Sequence, residues 1–192
     1  MRAVGLTVRS FRNLADVTLE LPPDGVALVG PNGHGKTNLL EALAYPVLFR
    51  SVRGAADREI GRFGGPGFHV AVATEHGSTV AATYLAPERR KRITVDGEEQ
   101  ARLASALGRW LAVGFFPTDL ALVRGGAAER RRWLDRMLSL ADRCYLDALL
   151  RYRAALAQRN AALRAGAAAA AQAFDPALAQ TGALLTRSRH AW

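Results

Sequence analysis

Gly30-Pro31-Asn32-Gly33-His34-Gly35-Lys36-Thr37 is the stretch on which the reading of this chain turns. It fits the pattern G-x-x-x-x-G-K-[ST] at every defined position. Just upstream, Val26-Ala27-Leu28-Val29 is a continuous apolar run, the composition of a strand buried on both faces of a sheet. Downstream, Leu39, Leu40, Leu43 and Val47 line one side of a helix expected from about Lys36 to Phe49, which Pro46 should kink or end early. Strand, glycine-rich loop and helix together form a phosphate cradle. Glycine lets successive backbone N–H groups turn inward, and the helix N-terminus adds the positive end of its dipole. The expected ligands are therefore ATP and Mg²⁺. Lys36 should reach the β- and γ-phosphates, and the Thr37 hydroxyl should ligate the metal. Asn32 and His34 fill free positions of the motif. The Asn32 amide is placed to touch a γ-phosphate or an attacking water, whereas His34 reads as a solvent-facing bystander.

Working outward, Val4, Leu6 and Val8 alternate with smaller or polar residues, the period of a half-buried strand, and Val17–Leu21 reads as its antiparallel return. Between them, Phe11-Arg12-Asn13 taken alone is a strand end and turn. Residues 68–74 and 79–85 bracket Glu75-His76-Gly77-Ser78 as a hairpin, and Arg92-Ile93-Thr94-Val95 adds a further strand. A helix is expected over 103–111, and Val113-Gly114-Phe115-Phe116 reads as a strand stopped by Pro117. From Asp119 onward the pattern is helical. Tyr145, Leu149, Tyr152, Leu156 and Leu163 share one face, Ala165–Ala173 is either a helix continuation or a linker, and the last segment is helical through Trp192 with no obvious terminator. We expect the chain to be a fragment.

The composition excludes several classes. With 49% hydrophobic and 22% charged residues, the chain can bury a core, so wholesale disorder is excluded. No apolar stretch approaches the roughly 18 residues a membrane span needs, and an arginine at position 9 ends the N-terminal apolar run too early for a signal peptide. The single cysteine, Cys144, can form no internal disulfide and reads as a buried helix residue. A cytoplasmic location is the expectation. The net charge of +9 is unevenly spread: residues 1–119 carry 14 basic and 12 acidic groups, residues 120–192 carry 12 and 5. An almost neutral front, 1–119, joined to a basic helical lobe, 120–192, implies two surfaces with different partners, the second suited to nucleic acid. Arg130, Arg131 and Arg132 point in three directions around a helix, so they cannot all face a core. One can pair with Glu129 or Asp135, and the others are either a solvated face or DNA-phosphate contacts.

The chain resembles the N-terminal part of the RecF family of bacterial DNA replication and repair proteins, ABC-type ATPases of the SMC group. The resemblance rests on Phe11-Arg12-Asn13-Leu14, on the phosphate loop continued through Asn38-Leu39-Leu40-Glu41-Ala42, and on Ser51-Val52-Arg53. It continues through Phe116–Val123, Arg130–Asp135 and Tyr152–Asn160. It implies an α/β fold: a P-loop ABC-type ATPase N-terminal lobe with an antiparallel β subsheet, followed by the start of a helical lobe. It further implies an ATP-dependent homodimer on double-stranded DNA near single-strand gaps, acting with RecR and RecO to load recombinase. Arg12, Asn13 and Asn38 then join residues 30–37 around the nucleotide. Two departures stand out. Pro46 interrupts the helix after the phosphate loop. No Walker B strand ending in paired carboxylates and no Ser-Gly signature segment is present, and both belong to the C-terminal half in this family. Leu134-Asp135 sits in an arginine-rich helical stretch and is rejected as a Walker B end. No glutamine follows Phe115-Phe116, where related ATPases contact Mg²⁺. Asp119 either substitutes for it or caps the next helix.

A phosphate loop of this kind serves at least three function classes. A nucleotide-controlled DNA clamp fits best. An ABC-type subunit coupled to a transporter is the alternative, but it would not carry a strongly basic lobe. A small-molecule phosphotransferase would not carry an antiparallel insert and long basic helices. Without Walker B and signature segments, residues 1–192 alone are expected to hydrolyse ATP negligibly.

Overall fold

The computed structural model describes residues 1–192, which divide into two compact units, Met1–Thr118 and Asp119–Trp192. In the first unit the strands are β1 (Ala3–Arg9), β2 (Val17–Glu20), β3 (Gly67–Thr74), β4 (Thr79–Leu85), β5 (Arg90–Val95) and β6 (Glu98–Glu99). They form one antiparallel sheet in the order β2-β1-β3-β4-β5-β6. The period-2 pattern sets its register. Leu6, Val72, Val80 and Val95 lie opposite one another across four strands, as do Val8, Val70, Ala82 and Ile93, and all eight are buried. Slipping one strand by a residue would turn every one of its apolar side chains to water, so the pairing is tightly specified.

Helix α1 (Lys36–Leu48) packs against β3 and β4. The Phe11, Tyr45 and Phe68 rings interlock beneath it edge to face, with centroids 5.3–6.1 Å apart. The expected apolar stripe is only partly the buried one. Leu40 is 48% exposed, whereas Glu41, Ala42, Tyr45, Pro46 and Val47 are buried. Pro46 falls in the last turn, so the helix runs through it and stops at Leu48. A short helix α2 (Leu103–Ala106) follows β6, in place of the longer one expected over 103–111.

Two further expectations are corrected. Neither Val26–Val29 nor Val113–Phe116 forms a strand. Val29 is 92% exposed, Val113 is fully exposed and Phe115 is 83% exposed. Apolar composition favours a strand only where a neighbouring strand accepts its hydrogen bonds, and none of the six strands pairs with either run.

The second unit is helical: α3 (Ala121–Arg124), α4 (Ala127–Ala141), α5 (Arg143–Arg164), α6 (Ala168–Gln172) and α7 (Asp175–His190). Leu138, Tyr145, Ala148, Leu149 and Leu185 form its core, with Tyr152 packed against it. Leu163, at the far end of the predicted face, is exposed. Cys144 is also exposed, against expectation: it lies in the first turn of α5, where Asp142 caps the helix by accepting the Cys144 backbone N–H at 2.8 Å. Asp135 is 6% exposed and ties three helices together. It accepts from the Tyr145 hydroxyl at 2.5 Å, from Arg189 Nη2 at 2.7 Å and from Arg153 Nη2 at 3.3 Å. No helix is long and apolar enough to cross a membrane.

Candidate nucleotide-binding site

Residues 30–37 wrap into the expected loop although no strand precedes them, because glycine conformations alone can shape it. Gly33 and Gly35 sit at φ 84° and 92°, in the left-handed region that a Cβ penalises. At Gly35 a Cβ would also meet Leu14 Cδ2 at 2.7 Å and Asn13 Oδ1 at 3.1 Å. Gly35 caps α1, so the unpaired N–H groups of that helix open at the loop. The loop lines a cavity of about 540 Å³ together with Lys36, Thr37, Asn38, Arg53, Phe116, Pro117 and Thr118.

Lys36 curls back over the loop, donating to the Gly30 and Pro31 carbonyls at 2.6 and 2.7 Å. A phosphate in the cavity would offer the same ammonium a charged acceptor in place of two neutral ones. The Thr37 side chain also borders the cavity, and Asn32 forms part of its wall. His34 is exposed and does not line it.

Arg12 and Asn13 support the loop from outside that lining. Asn13 Nδ2 donates to the Gly33 carbonyl at 2.8 Å, and Asn38 Nδ2 donates to Asn13 Oδ1 at 2.7 Å. Arg12 grips Glu41 with two hydrogen bonds, Nη2 to Oε1 at 3.0 Å and Nε to Oε2 at 3.2 Å. Glu41 and Arg53 were given no role by sequence reasoning, yet the structure brings both to this site. The signals that could have found them were the family blocks Asn38-Leu39-Leu40-Glu41-Ala42 and Ser51-Val52-Arg53. The segment after α1 is secured at its base by a second polar cluster. There Tyr45 donates to Asp57 at 2.6 Å, and Lys91 bridges the Phe49 carbonyl and Asp57. Burial, with the adjacent Asp57 carboxylate, pushes the Tyr45 phenol far above its usual range, so it stays a donor.

The residues present suit a nucleotide triphosphate with its metal: a glycine cradle, a lysine, a helix N-terminus and a hydroxyl. No group of three or more His, Cys, Asp or Glu side chains converges anywhere in the chain. Asp119 lies in the turn Pro117–Leu120, and the residue capping α3 is Leu120 rather than Asp119. Arg130, Arg131 and Arg132 are all exposed on α4. Arg132 pairs with Glu129, and Arg130 donates to the Leu122 carbonyl at 3.2 Å. Asp135, one of the two acidic partners foreseen for this cluster, is taken instead by Arg153 and Arg189.

A family model described as an AAA domain matches residues 6–103, which includes the cradle, α1 and all of the sheet but the start of β1. The DNA replication and repair protein RecF of Chlamydia trachomatis serovar L2 is 34% identical over 99% of this chain and 52% of its own length. RecF of an Anaeromyxobacter strain is 37% identical over 98% of this chain and 52% of its own. The chain belongs to the AAA-domain family, and these relatives make it a homologue of RecF. It spans about half the length of the curated relatives it matches. Two solved structures of the recombination mediator protein RecF in the RecFOR pathway share its fold. The one with ATP is 32% identical with a TM-score of 0.88, and the one with ATPrS is 29% identical with a TM-score of 0.88. Each covers 98% of this chain and 53% of the solved chain. The α/β lobe with an antiparallel sheet followed by helices is thus the arrangement of an ABC-ATPase-like N-terminal lobe.

Proposed function

We propose that residues 1–192 are the nucleotide-binding part of a RecF-type DNA-repair ATPase that uses ATP to control a dimeric clamp on double-stranded DNA near single-strand gaps. The observation that carries this reading is the cavity of the phosphate loop, where Lys36, Thr37 and the α1 N-terminus converge. In this reading Lys36 exchanges the Gly30 and Pro31 carbonyls for β- and γ-phosphate oxygens, and Thr37 holds Mg²⁺. ATP occupancy then favours the dimer, because a state that binds the nucleotide better is populated by it. Arg130, Arg131 and Arg132 take DNA phosphates irrespective of sequence. RecR and RecO are the partners, and the naming of the solved relatives for the RecFOR pathway supports this.

Residues 1–192 bind ATP but turn it over negligibly. The carboxylates for metal and water, and the signature segment that meets a partner's ATP, come from sequence matching the other half of the relatives. Val26, Val29, Val113 and Phe115 are exposed apolar side chains in runs of strand composition that pair with no strand, which accords with this. The test is calorimetric titration with MgATP. The wild type should bind, and Lys36→Ala should weaken binding by several kcal/mol through loss of a charge-assisted contact. Equal affinity in the two proteins would refute the reading.

A further inference from the structure

Glu41 lies outside the phosphate-loop motif, yet its side chain is fully buried beside the nucleotide cavity. Every acceptor direction of its carboxylate is used. Oε1 accepts from Arg12 Nη2 at 3.0 Å and from the Ser51 hydroxyl at 2.5 Å. Oε2 accepts from Arg12 Nε at 3.2 Å and from Arg53 Nη1 at 3.4 Å. A bare carboxylate is too costly to bury for simple packing, so the cations around it are part of the site's design.

The two arginines are held differently. Arg12 is fully committed: it makes a bidentate pair with Glu41, its Nη1 donates to the Glu59 carbonyl at 3.3 Å, and its side chain is 19% exposed. Arg53 is tethered through Nη1 alone, to Asn38 Oδ1 at 2.9 Å and more loosely to Glu41. Its side chain is 43% exposed, and it lines the cavity beside Lys36 and Thr37. One carboxylate facing two guanidinium groups leaves the cluster one positive charge in excess, next to a cradle built for an anion.

We propose that Glu41 is a positioning residue whose buried carboxylate holds Arg53 over the phosphate cavity, where Arg53 acts with Lys36 as a second cation on the bound triphosphate. This rests on the nucleotide reading above. A long arginine side chain free in solvent would have to be ordered when nucleotide arrives. Anchoring one nitrogen of its planar fork in advance leaves the rest of the fork ready for phosphate. The anchor is weak enough to yield, because the 3.4 Å contact to Glu41 is the longest in the cluster. Arg12 and Ser51 keep the carboxylate satisfied when Arg53 leans toward the ligand.

The test is a double-mutant cycle on MgATP affinity, with Glu41→Gln, Arg53→Ala and the pair, alongside melting temperatures without nucleotide. Each single change should weaken binding by about tenfold, and the double variant should be no worse than Arg53→Ala alone within about threefold. Glu41→Asp keeps the charge but draws it back by one methylene, which the 3.4 Å contact to Arg53 tolerates least. It should fold like the wild type and still bind ATP more weakly, so the test stands even if Glu41→Gln folds poorly. Fully additive losses would overturn the proposal, as would a fall in melting temperature with unchanged affinity. If the wild type binds ATP and both Glu41 variants match it, this inference alone fails. If the wild type binds no better than Lys36→Ala, the nucleotide reading fails and takes this inference with it.

Discussion

Replacing Asp135 with asparagine tests whether the helical unit is held by one buried charge. The side chain keeps its shape but loses its charge and one acceptor. Asp135 is 6% exposed and faces the Tyr145 hydroxyl, Arg153 and Arg189. Breaking one partner of a fully buried ion pair costs about 3–5 kcal/mol. Here the arginines are not fully buried: their side chains are 58% and 29% exposed, so water recovers part of the loss. We therefore expect a loss of about 2–3 kcal/mol, combining a weakened charge-assisted bond to Arg189 with a disturbed Tyr145 contact. For a unit of this size class, that lowers Tm by roughly 8–24 °C. Tyr145→Phe leaves both arginines on the carboxylate and should cost only about 1 kcal/mol. Thermal unfolding followed by circular dichroism gives the magnitude, and amide exchange locates it. Protection should fall in α4, α5 and α7 while the β3–β4 hairpin keeps its own. A loss below about 0.5 kcal/mol, the level of an unremarkable surface change, would refute the reasoning. So would loss of protection in the sheet alone.

Gly35→Ala should destabilise residues 1–118 by about 1–3 kcal/mol, since it forces a side chain into left-handed backbone against Leu14, and should abolish ATP binding. Thermal melts and titration would show both effects. Burial, and then the charge of Arg9, hold the His69 imidazole below its usual pKa, so the unfolded chain takes the proton first as pH falls through about 6.5. His69 should therefore cost stability on acidification. His69→Gln should flatten the fall in Tm between about pH 7 and 5, and an unchanged pH profile would exclude this histidine as the cause. Replacing Arg130, Arg131 and Arg132 with glutamine should weaken DNA binding equally across unrelated sequences. Each lost phosphate contact should reduce the slope of log affinity against log salt by about 0.9, and an unchanged slope would make the cluster a solvated or internally paired face.

The glycine-rich loop was legible because its information is local. Gly33 and Gly35 adopt conformations their neighbours need not supply, so residues 30–37 close into a cradle even though the Val26–Val29 run before them stays unpaired. The hairpin β3–β4 and the pairing of β1 with β2 were legible for a related reason. Alternation of apolar and polar residues, with turn residues between, specifies both partners within a short span of chain.

What the sequence could not show depended on distant partners. Val26–Val29 and Val113–Phe116 have strand composition, but a strand exists through the neighbour that accepts its hydrogen bonds, and composition carries no record of that neighbour. The buried side of α1 was decided by the sheet it packs on, which chose Ala42 and Tyr45 and left Leu40 in water. Cys144 turned outward because Asp142 starts the helix just before it. Glu41 read as one more acidic residue on a helix until folding brought it against Arg12, Ser51 and Arg53, from 29, 10 and 12 residues away. Asp135 likewise acquired its role from Arg189, 54 residues downstream. A charge stays buried only when such partners converge, so the burial of both carboxylates is a property of the tertiary structure, whereas the phosphate cradle is a property of eight consecutive residues.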